Sequence, residues 1–308
     1  MKTPSPPLVI IVGPTASGKT GVVHALAEAF PGPIISADSM QVYRYMEIGT
    51  AKPTPEEREK FSYHLIDVVN PDEAFNGAMF LELSGEVIKQ QALEGEPVYV
   101  VGGTGLYVKI LLGGLISGPG PDENLRKRYK DLAAEFGKAH LYDLLKKRDP
   151  QAAERIKAND TVRVIRALEV LDLTGESITT KQVAHAFQEN RDYRYLKIGI
   201  RLEKEQLQQR IEKRVEQMMD RGLLREVEAL LAMGYGGELK SMQSLGYRHM
   251  VEYLRGEWSL DEAVAAMKRD TWQYAKRQMT WFKKDGEILW FDPEDPAGIR
   301  RQVSAFCG

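Results

Sequence analysis

The chain has 308 residues, of which 43% are hydrophobic and 28% are charged. A chain of this length and composition buries a real core in one large domain or two ordinary ones, which excludes disordered and collagen-like proteins. Only one cysteine is present, Cys307, so the sequence offers neither a disulfide framework nor a cysteine metal cluster. No apolar run approaches the ~20 residues of a membrane helix, and we expect a soluble, cytoplasmic protein without a membrane partner.

The net charge is −2, but the charged residues are unevenly distributed. Residues 1–120 carry 8 basic and 13 acidic side chains, whereas residues 121–194 carry 15 basic and 13 acidic ones. The stretch Ala266–Lys284 holds six basic residues and one acidic residue, Asp270. An acidic first part and a locally basic later part fit a small-molecule site beside a surface that binds a polyanion. On charge alone, ordinary solvated helix faces are the better explanation.

Strands and helices alternate in the first part of the chain. The run Leu8–Val12 predicts a buried strand because it is short, apolar and β-branched, and Gly21–Phe30 predicts the helix after it. Two further apolar runs, Pro33–Ala37 and Pro97–Val101, predict buried strands, with helical sequence near Ala78–Glu94 between them. Since strands that alternate with helices form parallel sheets covered on both faces, we predict an α/β fold.

A second region interrupts this alternation. Glycine and proline become frequent at Gly113–Pro121, which predicts a domain boundary, and Asp122–Thr174 then has an almost wholly helical pattern. The predicted elements that follow are a strand at Tyr195–Arg201, helices at Lys204–Leu231 and Asp261–Lys284, and a strand at Ile288–Phe291. This order predicts a core formed by residues 1–120 and 195–308, with a helical domain inserted at residues 121–194.

A phosphate-loop pattern, G-x-x-x-x-G-K-[ST], is matched by Gly13-Pro14-Thr15-Ala16-Ser17-Gly18-Lys19-Thr20, directly after a predicted strand and before a helix. In this context the glycines let the backbone wrap an anion, and the N-terminus of the helix presents free N–H groups to it. Lys19 adds a mobile positive charge, and Thr20 adds a hydroxyl for Mg²⁺. The motif therefore predicts a polyphosphate ligand, without deciding whether that ligand is a nucleotide.

Two more predicted strands end in candidate site residues, because the carboxyl ends of parallel strands meet at the ligand site of such sheets. Asp38-Ser39-Met40-Gln41 follows the second strand, and Gly102-Gly103-Thr104-Gly105 follows the third. Asp38 is a candidate proton acceptor, although a helix cap or a turn residue is the alternative. Thr104 offers a neutral hydroxyl on a loop that ligands can approach closely, although a plain tight turn is the alternative.

Seven segments of the chain share their pattern with one known family. They are Gly13–Thr20, Asp38–Tyr43, Ile48–Pro53, Gly102–Tyr107, Arg163–Glu169, Gly246–Arg248 and Tyr274–Gln278. These segments resemble the tRNA dimethylallyltransferases, also called tRNA isopentenyltransferases or IPP transferases, and the resemblance extends to about Phe291. It implies a P-loop NTPase-like core with an inserted helical domain that binds the anticodon stem-loop of tRNA. It also implies transfer of the dimethylallyl group from dimethylallyl diphosphate to N6 of the adenosine just 3′ of the anticodon, giving N6-isopentenyladenosine.

The chain departs from the family pattern at three places. Tyr63-His64-Leu65 stands where the family usually has His-His-Leu, and Thr271-Trp272-Gln273 stands in place of Thr-Arg-Gln. Lys157-Ala158-Asn159-Asp160 replaces the usual His-Pro-Asn-Asp. These departures leave the catalytic motifs intact, but Trp272 removes one positive charge from the predicted RNA-contacting helix.

The resemblance implies roles at the reaction centre. Asp38 matches the family base that takes a proton from the N6 amine, and Thr104 matches a residue that helps to position the amine and the diphosphate. The implied diphosphate ligands are Gly13, Thr15, Ala16, Ser17, Gly18, Lys19, Thr20 and Arg214. Mg²⁺ is the implied cofactor, with Thr20 as a ligand. Without the resemblance, Arg214 would be taken for an ordinary charge on a helix surface.

The implied tRNA contacts are Asp38, Ser39, Met40, Gln41, Thr104, Arg126, Val162, Arg163, Val164, Ile165, Arg166, Gln243, Gly246, Tyr247, Arg248, Lys276, Arg277, Gln278 and Lys283. Gln41 suits recognition of an adenine edge, and the base must be flipped out of its stack to be reached. Residues seven apart drift only ~20° around a helix, so Arg269, Lys276 and Lys283 form one stripe. Three aromatic residues interleave with it as stacking surfaces, Trp272, Tyr274 and Trp281, although core packing is the alternative, above all for Trp281 and Phe282.

Three other functions remain open. A prenyltransferase for free adenylate would use the same chemistry, but it would need neither the helical insertion nor the basic stripe. A P-loop small-molecule kinase or regulatory NTPase would bind ATP. The third predicted strand, however, ends in Gly-Gly where such enzymes usually place an acid for Mg²⁺, although Asp67 follows another apolar pair. In a pure binding module, Asp38 and Thr104 would have no function beside the phosphate site. We expect the chain to act as a monomer.

Overall fold

The computed structural model describes residues 6–92, 95–116, 118–185 and 193–308. The strands within these ranges are β1 (Leu8–Val12), β2 (Ile34–Ser36), β3 (Tyr63–His64), β4 (Val98–Gly102), β5 (Tyr195–Ile200) and β6 (Leu289–Phe291). They form one parallel sheet in the order β3-β2-β4-β1-β5-β6. The predicted α/β fold is confirmed, and within the described ranges no helix has the length and apolarity needed to cross a membrane.

Helices connect and cover the strands. In chain order they are α1 (Lys19–Ala29), α2 (Pro55–Lys60), α3 (Gly77–Gln91), α4 (Gly105–Gly113), α5 (Glu123–Arg148), α6 (Pro150–Arg155), α7 (Thr161–Thr174), α8 (Ile178–His185), α9 (Lys204–Asp220), α10 (Leu223–Ala232), α11 (Tyr247–Leu254), α12 (Leu260–Phe282) and α13 (Pro296–Cys307). The prediction of one long helix over Lys204–Leu231 is wrong. Gly222 interrupts it in the left-handed conformation (φ 95°), which glycine adopts without a Cβ penalty.

The sheet is buried on both faces. Leu8, Ile10 and Val12 of β1 belong to one apolar cluster, whereas Val9 and Ile11 belong to the cluster on the opposite face. All five side chains are at most 1% exposed. This double burial explains why β1 is a continuous apolar run rather than an alternating one.

The chain divides into two compact units, residues 1–112 with 190–308 and residues 113–189. The first contains the sheet. The second contains α5 to α8 and has its own apolar core, which includes Tyr129, Leu141, Leu145 and Leu168. The sequence-based limits of the helical insertion, 121–194, begin and end a few residues later than this division, and residues 186–192 lie outside the described part of the chain.

Candidate active site

The phosphate loop joins β1 to α1 through two glycines whose conformations other residues rarely adopt. Gly13 has φ 151°, and a Cβ there would lie 2.4 Å from the carbonyl oxygen of Ile200. Gly18, at φ 99°, precedes the first turn of α1, which has neither a side-chain cap nor an acidic residue. The Ser17 hydroxyl is buried and has no hydrogen-bond partner among the described residues. The uncapped first turn of α1 and the Ser17 hydroxyl therefore suit an anion ligand, as the motif predicts.

Two cations and one carboxylate share the centre of the site. Burial and, to a smaller extent, the charge of Arg214 lower the pKa of Lys19 to about 7, although Asp38 opposes both effects. The Lys19 ammonium donates to the Pro14 carbonyl oxygen at 2.7 Å. Burial also lowers the pKa of the Arg214 guanidinium, again opposed by Asp38. Because both cations are desolvated close to each other, an anion with several negative charges would stabilise them.

Two cavities meet at this centre. The first, the P-loop cavity, has a volume of about 360 Å³ and is lined by Lys19, Thr20 and other loop residues. The second, the neighbouring cavity, has a volume of about 320 Å³ and is lined by Ser39, Met40 and residues of α11 and α12. Four residues line both cavities, Thr15, Asp38, Arg214 and Tyr274. Asp38 therefore lies on the wall between a cationic cavity and a second cavity of comparable size.

The strand ends hold the two predicted catalytic residues in place. One carboxylate oxygen of Asp38 accepts a hydrogen bond from the Met40 N–H at 2.8 Å, which fixes the side chain after β2. The Thr104 N–H donates to the Ala37 carbonyl oxygen at 3.1 Å. The Thr104 hydroxyl oxygen accepts from the Ser39 N–H, also at 3.1 Å, so its own hydrogen is left to donate elsewhere. The structure thus brings Asp38 and Thr104 onto adjacent loops.

Gln278 joins the phosphate loop to the glycine-rich loop. Its side-chain oxygen accepts from the Thr15 N–H at 2.8 Å, and its amide donates to the Gly103 carbonyl oxygen at 3.0 Å. The side chain is only 6% exposed. Sequence comparison placed Gln278 among the tRNA contacts, but its geometry is that of a brace between the two loops. Nothing in the helical periodicity of α12 signals this contact.

Gln41 is also engaged within the protein. Its side-chain oxygen accepts from the Ser36 hydroxyl at 2.8 Å. Its amide donates to the carbonyl oxygens of Thr50 and Ala51 at 3.4 and 3.2 Å. In this arrangement Gln41 anchors the loop that follows β2 instead of presenting a free amide, so the predicted contact with an adenine edge requires these bonds to break.

Glu226 is a residue that the sequence analysis missed. Its carboxylate accepts from the N–H groups of Glu47, Ile48 and Gly49 at 2.8 to 3.3 Å. It also accepts from the Tyr247 hydroxyl at 2.6 Å. The contact fixes the Ile48–Gly49 turn, and Gly49 lines the neighbouring cavity. A glutamate in a predicted surface helix gives no sequence signal for such a role.

Tyr247, a predicted tRNA contact, packs inside the protein in this structure. Its side chain is completely buried and fits against Gly49, where a Cβ would lie 2.3 Å from its ring. Gly246 is buried as well. The start of α11 therefore supports the cavity wall, and in this structure the side chain of Tyr247 has no exposed surface. Arg248 and Gln243, in contrast, line the neighbouring cavity.

Four further predicted tRNA contacts lie in the helical unit, and their contact with RNA stays a prediction. Val164 and Ile165 are 1% and 7% exposed and belong to the core of this unit, so their side chains are not available to RNA. Arg126 and Arg166 donate to the fully buried carboxylate of Glu169 at distances from 2.5 to 3.2 Å. Burial raises the pKa of Glu169, but these arginine hydrogen bonds outweigh it and hold the pKa below its usual value. Both arginine side chains pair with this internal charge while remaining 32% and 33% exposed.

Val162 and Arg163 form the accessible part of the same predicted segment. Val162 is 80% exposed, and the Arg163 side chain is 69% exposed. Arg163 has a surface ion pair with Asp160 at 3.3 Å, which contributes little and is easily exchanged. These two residues keep the properties expected of an RNA contact.

The stripe on α12 is exposed along its length, as Arg269, Lys276 and Lys283 all face solvent. Lys276 lies 5.7 Å from the Trp272 ring, so the aromatic residue that departs from the family pattern packs against a stripe lysine. Elsewhere on the helix, Tyr274 and the exposed Arg277 line the neighbouring cavity, and Phe282 is 3% exposed. Trp281 is 42% exposed and packs on Gly105, where a Cβ would lie 2.2 Å from the indole.

One protein group at the site could serve as a ligand for Mg²⁺. The Thr20 hydroxyl is exposed to the P-loop cavity, and Mg²⁺ is commonly held by few protein groups together with phosphate oxygens and water. Among the described residues, no group of three or more His, Cys, Asp or Glu side chains could hold a metal ion. Asp67 does not supply a kinase-type acid, because its carboxylate binds Lys52 at 2.6 Å and Arg58 at 2.8 Å.

Comparison with known proteins identifies the family. The chain matches the family described as IPP transferase over residues 41–285, and the family described as isopentenyl transferase over residues 6–69. It is 53% identical over 301 residues to a protein of Syntrophus aciditrophicus (strain SB) named tRNA dimethylallyltransferase 2, covering 98% of this chain and 96% of the relative. The chain belongs to the tRNA dimethylallyltransferase family.

Solved structures agree with this family assignment. The full-length tRNA isopentenylpyrophosphate transferase from Bacillus halodurans is 39% identical, with a TM-score of 0.72 and coverage of 97% of this chain and 96% of that chain. A eukaryotic dimethylallyltransferase, described as acting on tRNA, is 28% identical with a TM-score of 0.79, covering 98% of this chain and 77% of that one. The tRNA dimethylallyltransferase family thus shares the parallel-sheet core described above.

Proposed function

We propose that this member of the tRNA dimethylallyltransferase family transfers the dimethylallyl group from dimethylallyl diphosphate to N6 of the adenosine on the 3′ side of a tRNA anticodon. The observation that carries the proposal is the position of Asp38, on the wall shared by the P-loop cavity and the neighbouring cavity. A donor diphosphate in the first cavity and an adenine in the second would place the acceptor amine beside a carboxylate.

The P-loop cavity suits the leaving diphosphate. Breaking the allylic C–O bond develops positive charge on carbon and negative charge on the departing diphosphate oxygen. The loop N–H groups, Lys19 and Arg214 are fixed before the reaction, so they stabilise that negative charge without reorganisation. The Thr20 hydroxyl would hold Mg²⁺, which would supply further charge neutralisation at the leaving group.

Asp38 suits the role of base for the acceptor. The N6 lone pair of adenine is delocalised into the ring, so the amine attacks well only as its proton is removed. One oxygen of Asp38 is held by the Met40 N–H, and the other can take this proton as the new N–C bond forms. A positioned base of this kind contributes ~10²–10⁴ in rate. The free hydrogen of the Thr104 hydroxyl can donate to the diphosphate or to the base.

The allylic cation must be protected from water. Met40, Met218 and Met267 line the neighbouring cavity beside the ring of Tyr274, which gives an apolar wall next to Asp38. Burial raises the pKa of the Tyr274 hydroxyl, and the charge of Asp38 raises it further, so this side chain remains a neutral phenol. Exclusion of water by such a wall prevents hydrolysis of the donor.

RNA binding is assigned to exposed residues, four of them basic and one, Val162, apolar. Val162 and Arg163 of α7, and the stripe of Arg269, Lys276 and Lys283 on α12, offer accessible side chains for a polyanion. An adenine stacked within an anticodon loop cannot enter a cavity, so the acceptor base must be flipped out. Arg248 and Arg277 line the neighbouring cavity and are placed to meet its sugar-phosphate flank.

One reaction series tests the proposal. The chain and Mg²⁺ are incubated with dimethylallyl diphosphate and, in parallel, with a tRNA that has adenosine after its anticodon or with AMP. Mass spectrometry of the digested nucleosides then identifies the product. We expect N6-isopentenyladenosine from the tRNA alone. Prenylated AMP would instead indicate a free-adenylate prenyltransferase, and ATP consumption without prenyl transfer would indicate a P-loop kinase or NTPase.

A further inference from the structure

Tyr63, one of the departures from the family pattern, lies in the P-loop cavity. It is the first residue of the edge strand β3, and its side chain lines the cavity together with Lys19 and Thr20. The Tyr63 hydroxyl is 2.7 Å from Nε2 of His24. His24 follows Thr20 by four residues on α1, and residues at this spacing are neighbours on a helix face. The hydroxyl is therefore held at the phosphate-loop end of α1.

His24 is itself fixed from two sides. Its ring stacks on Phe61 with centroids 4.2 Å apart, and its Nδ1 lies 3.6 Å from one carboxylate oxygen of Glu57. The other carboxylate oxygen of Glu57 accepts from the Thr54 N–H at 2.8 Å in the capping box of α2. The order Glu57, His24, Tyr63 therefore forms a chain of polar contacts from the start of α2 to the cavity.

The protonation states suit a neutral donor. Burial lowers the pKa of His24 in spite of the nearby charge of Glu57, so the imidazole is neutral at pH 7. Burial raises the pKa of Tyr63, and Glu57 raises it further, so the phenol keeps its hydrogen. Because a neutral imidazole has two tautomers, it can accept from the Tyr63 hydroxyl or donate to it. With the hydrogen on Nε2, the ring donates to the Tyr63 hydroxyl and the phenol can turn its own hydrogen to an anion; Nδ1 then no longer donates toward Glu57, whose oxygen is 3.6 Å away.

We propose that Tyr63 is a further diphosphate-binding residue, whose hydroxyl donates to a phosphate oxygen, and that His24 positions it. The inference rests on the proposed function for the identity of the donor substrate. It adds to the phosphate loop a donor that carries no charge and that comes from the edge strand β3. Such a donor helps to orient the diphosphate without increasing the repulsion between Lys19 and Arg214.

The test compares Tyr63→Phe with Tyr99→Phe. Tyr99 is a matched control because its hydroxyl also meets α1, donating to the Phe30 carbonyl oxygen at 2.6 Å, but it lies away from both cavities. Binding of inorganic pyrophosphate with Mg²⁺ is measured by calorimetry, and KM is measured separately for dimethylallyl diphosphate and for tRNA. For Tyr63→Phe we expect pyrophosphate affinity to fall, and the diphosphate KM to rise, by about tenfold to a hundredfold, the range for one hydrogen bond to a charged group.

Further outcomes separate binding from structure. The KM for tRNA should not change in Tyr63→Phe, and Tyr63→His should recover most of the pyrophosphate affinity because imidazole also donates. Equal losses in Tyr63→Phe and Tyr99→Phe, or no loss in Tyr63→Phe, would overturn the inference. If the wild-type chain transferred no prenyl group but its pyrophosphate affinity still depended on the Tyr63 hydroxyl, the proposed function would fail and the phosphate-binding role would stand.

Discussion

Replacing Gln278 by alanine tests the coupling between the phosphate loop and the glycine-rich loop. The substitution removes an acceptor from the Thr15 N–H and a donor from the Gly103 carbonyl oxygen, at a position that is only 6% exposed. Leaving a buried polar group without its partner costs about 1–3 kcal/mol. Because the adjacent cavity admits water to both groups, we expect the lower end of that range for each, or about 2 kcal/mol together.

The loss should appear at the diphosphate site. An energy of about 2 kcal/mol corresponds to a roughly 30-fold change in an equilibrium or rate constant. We therefore expect kcat/KM for dimethylallyl diphosphate to fall about 30-fold in Gln278→Ala, because the Thr15 segment of the loop is no longer braced from α12. The assay is steady-state transfer of radiolabelled dimethylallyl diphosphate to saturating tRNA.

An exposed glutamine on the same helix provides the control. Gln273 faces solvent, so Gln273→Ala makes the same change of residue type at a position that braces no loop. Kinetic constants for Gln278→Ala that match those of Gln273→Ala would refute the bracing role. A change confined to the KM for tRNA would also refute it, since Gln278 would then act as the RNA contact that sequence comparison implies.

Three other perturbations follow from the contacts described. Glu226→Ala removes the acceptor for three loop N–H groups, so it should lower the free energy of unfolding, measured by urea denaturation, by about 2–4 kcal/mol. Replacing the exposed Glu228 by alanine should have little effect. The pKa of Glu169 is held below its usual value, so the stability that this carboxylate contributes is present above its unfolded pKa and is lost as pH falls through its folded pKa. As pH falls, the free energy of unfolding of the wild type should therefore decrease more than that of Glu169→Gln, which lacks this contribution at every pH. Parallel acid-unfolding curves for the two proteins would contradict this. Lys19 has a pKa of about 7, and a bound polyanion favours its charged form, so pyrophosphate should bind more tightly as pH falls through 7. Lys19→Arg stays charged and should make pyrophosphate affinity less dependent on pH. An unchanged pH profile in this variant would contradict the assignment.

Local sequence patterns predicted the elements that depend on local physics. The buried strand at Leu8–Val12 and the turn at Gly13–Thr20 were predictable because a doubly buried strand is apolar throughout and a phosphate loop requires glycine at fixed positions. Strand β3 was not predicted, since Tyr63 and His64 carry no apolar pattern and pair only at the sheet edge. The break at Gly222 was missed because the amphipathic pattern continues on both sides of it.

Burial and partner choice could not be predicted from the sequence. Arg126 and Tyr247 have the residue types of RNA contacts, yet each is committed to a carboxylate elsewhere in its unit, Glu169 and Glu226. A charged or aromatic side chain in a matching motif looks the same whether it faces solvent or an internal partner. Only the packing of the helices distinguishes the two cases.

The measurement that tests the central claim most directly is transfer by Asp38→Asn. Asparagine keeps the shape of the side chain and an oxygen for the Met40 N–H, but it cannot accept the N6 proton. We expect binding of tRNA and of pyrophosphate to be retained, since removing a negative charge beside Lys19 and Arg214 does not weaken an anion site. The rate of transfer in a single turnover should fall by ~10²–10⁴. Near-normal transfer by Asp38→Asn would contradict the assignment of Asp38 as the base between the two cavities.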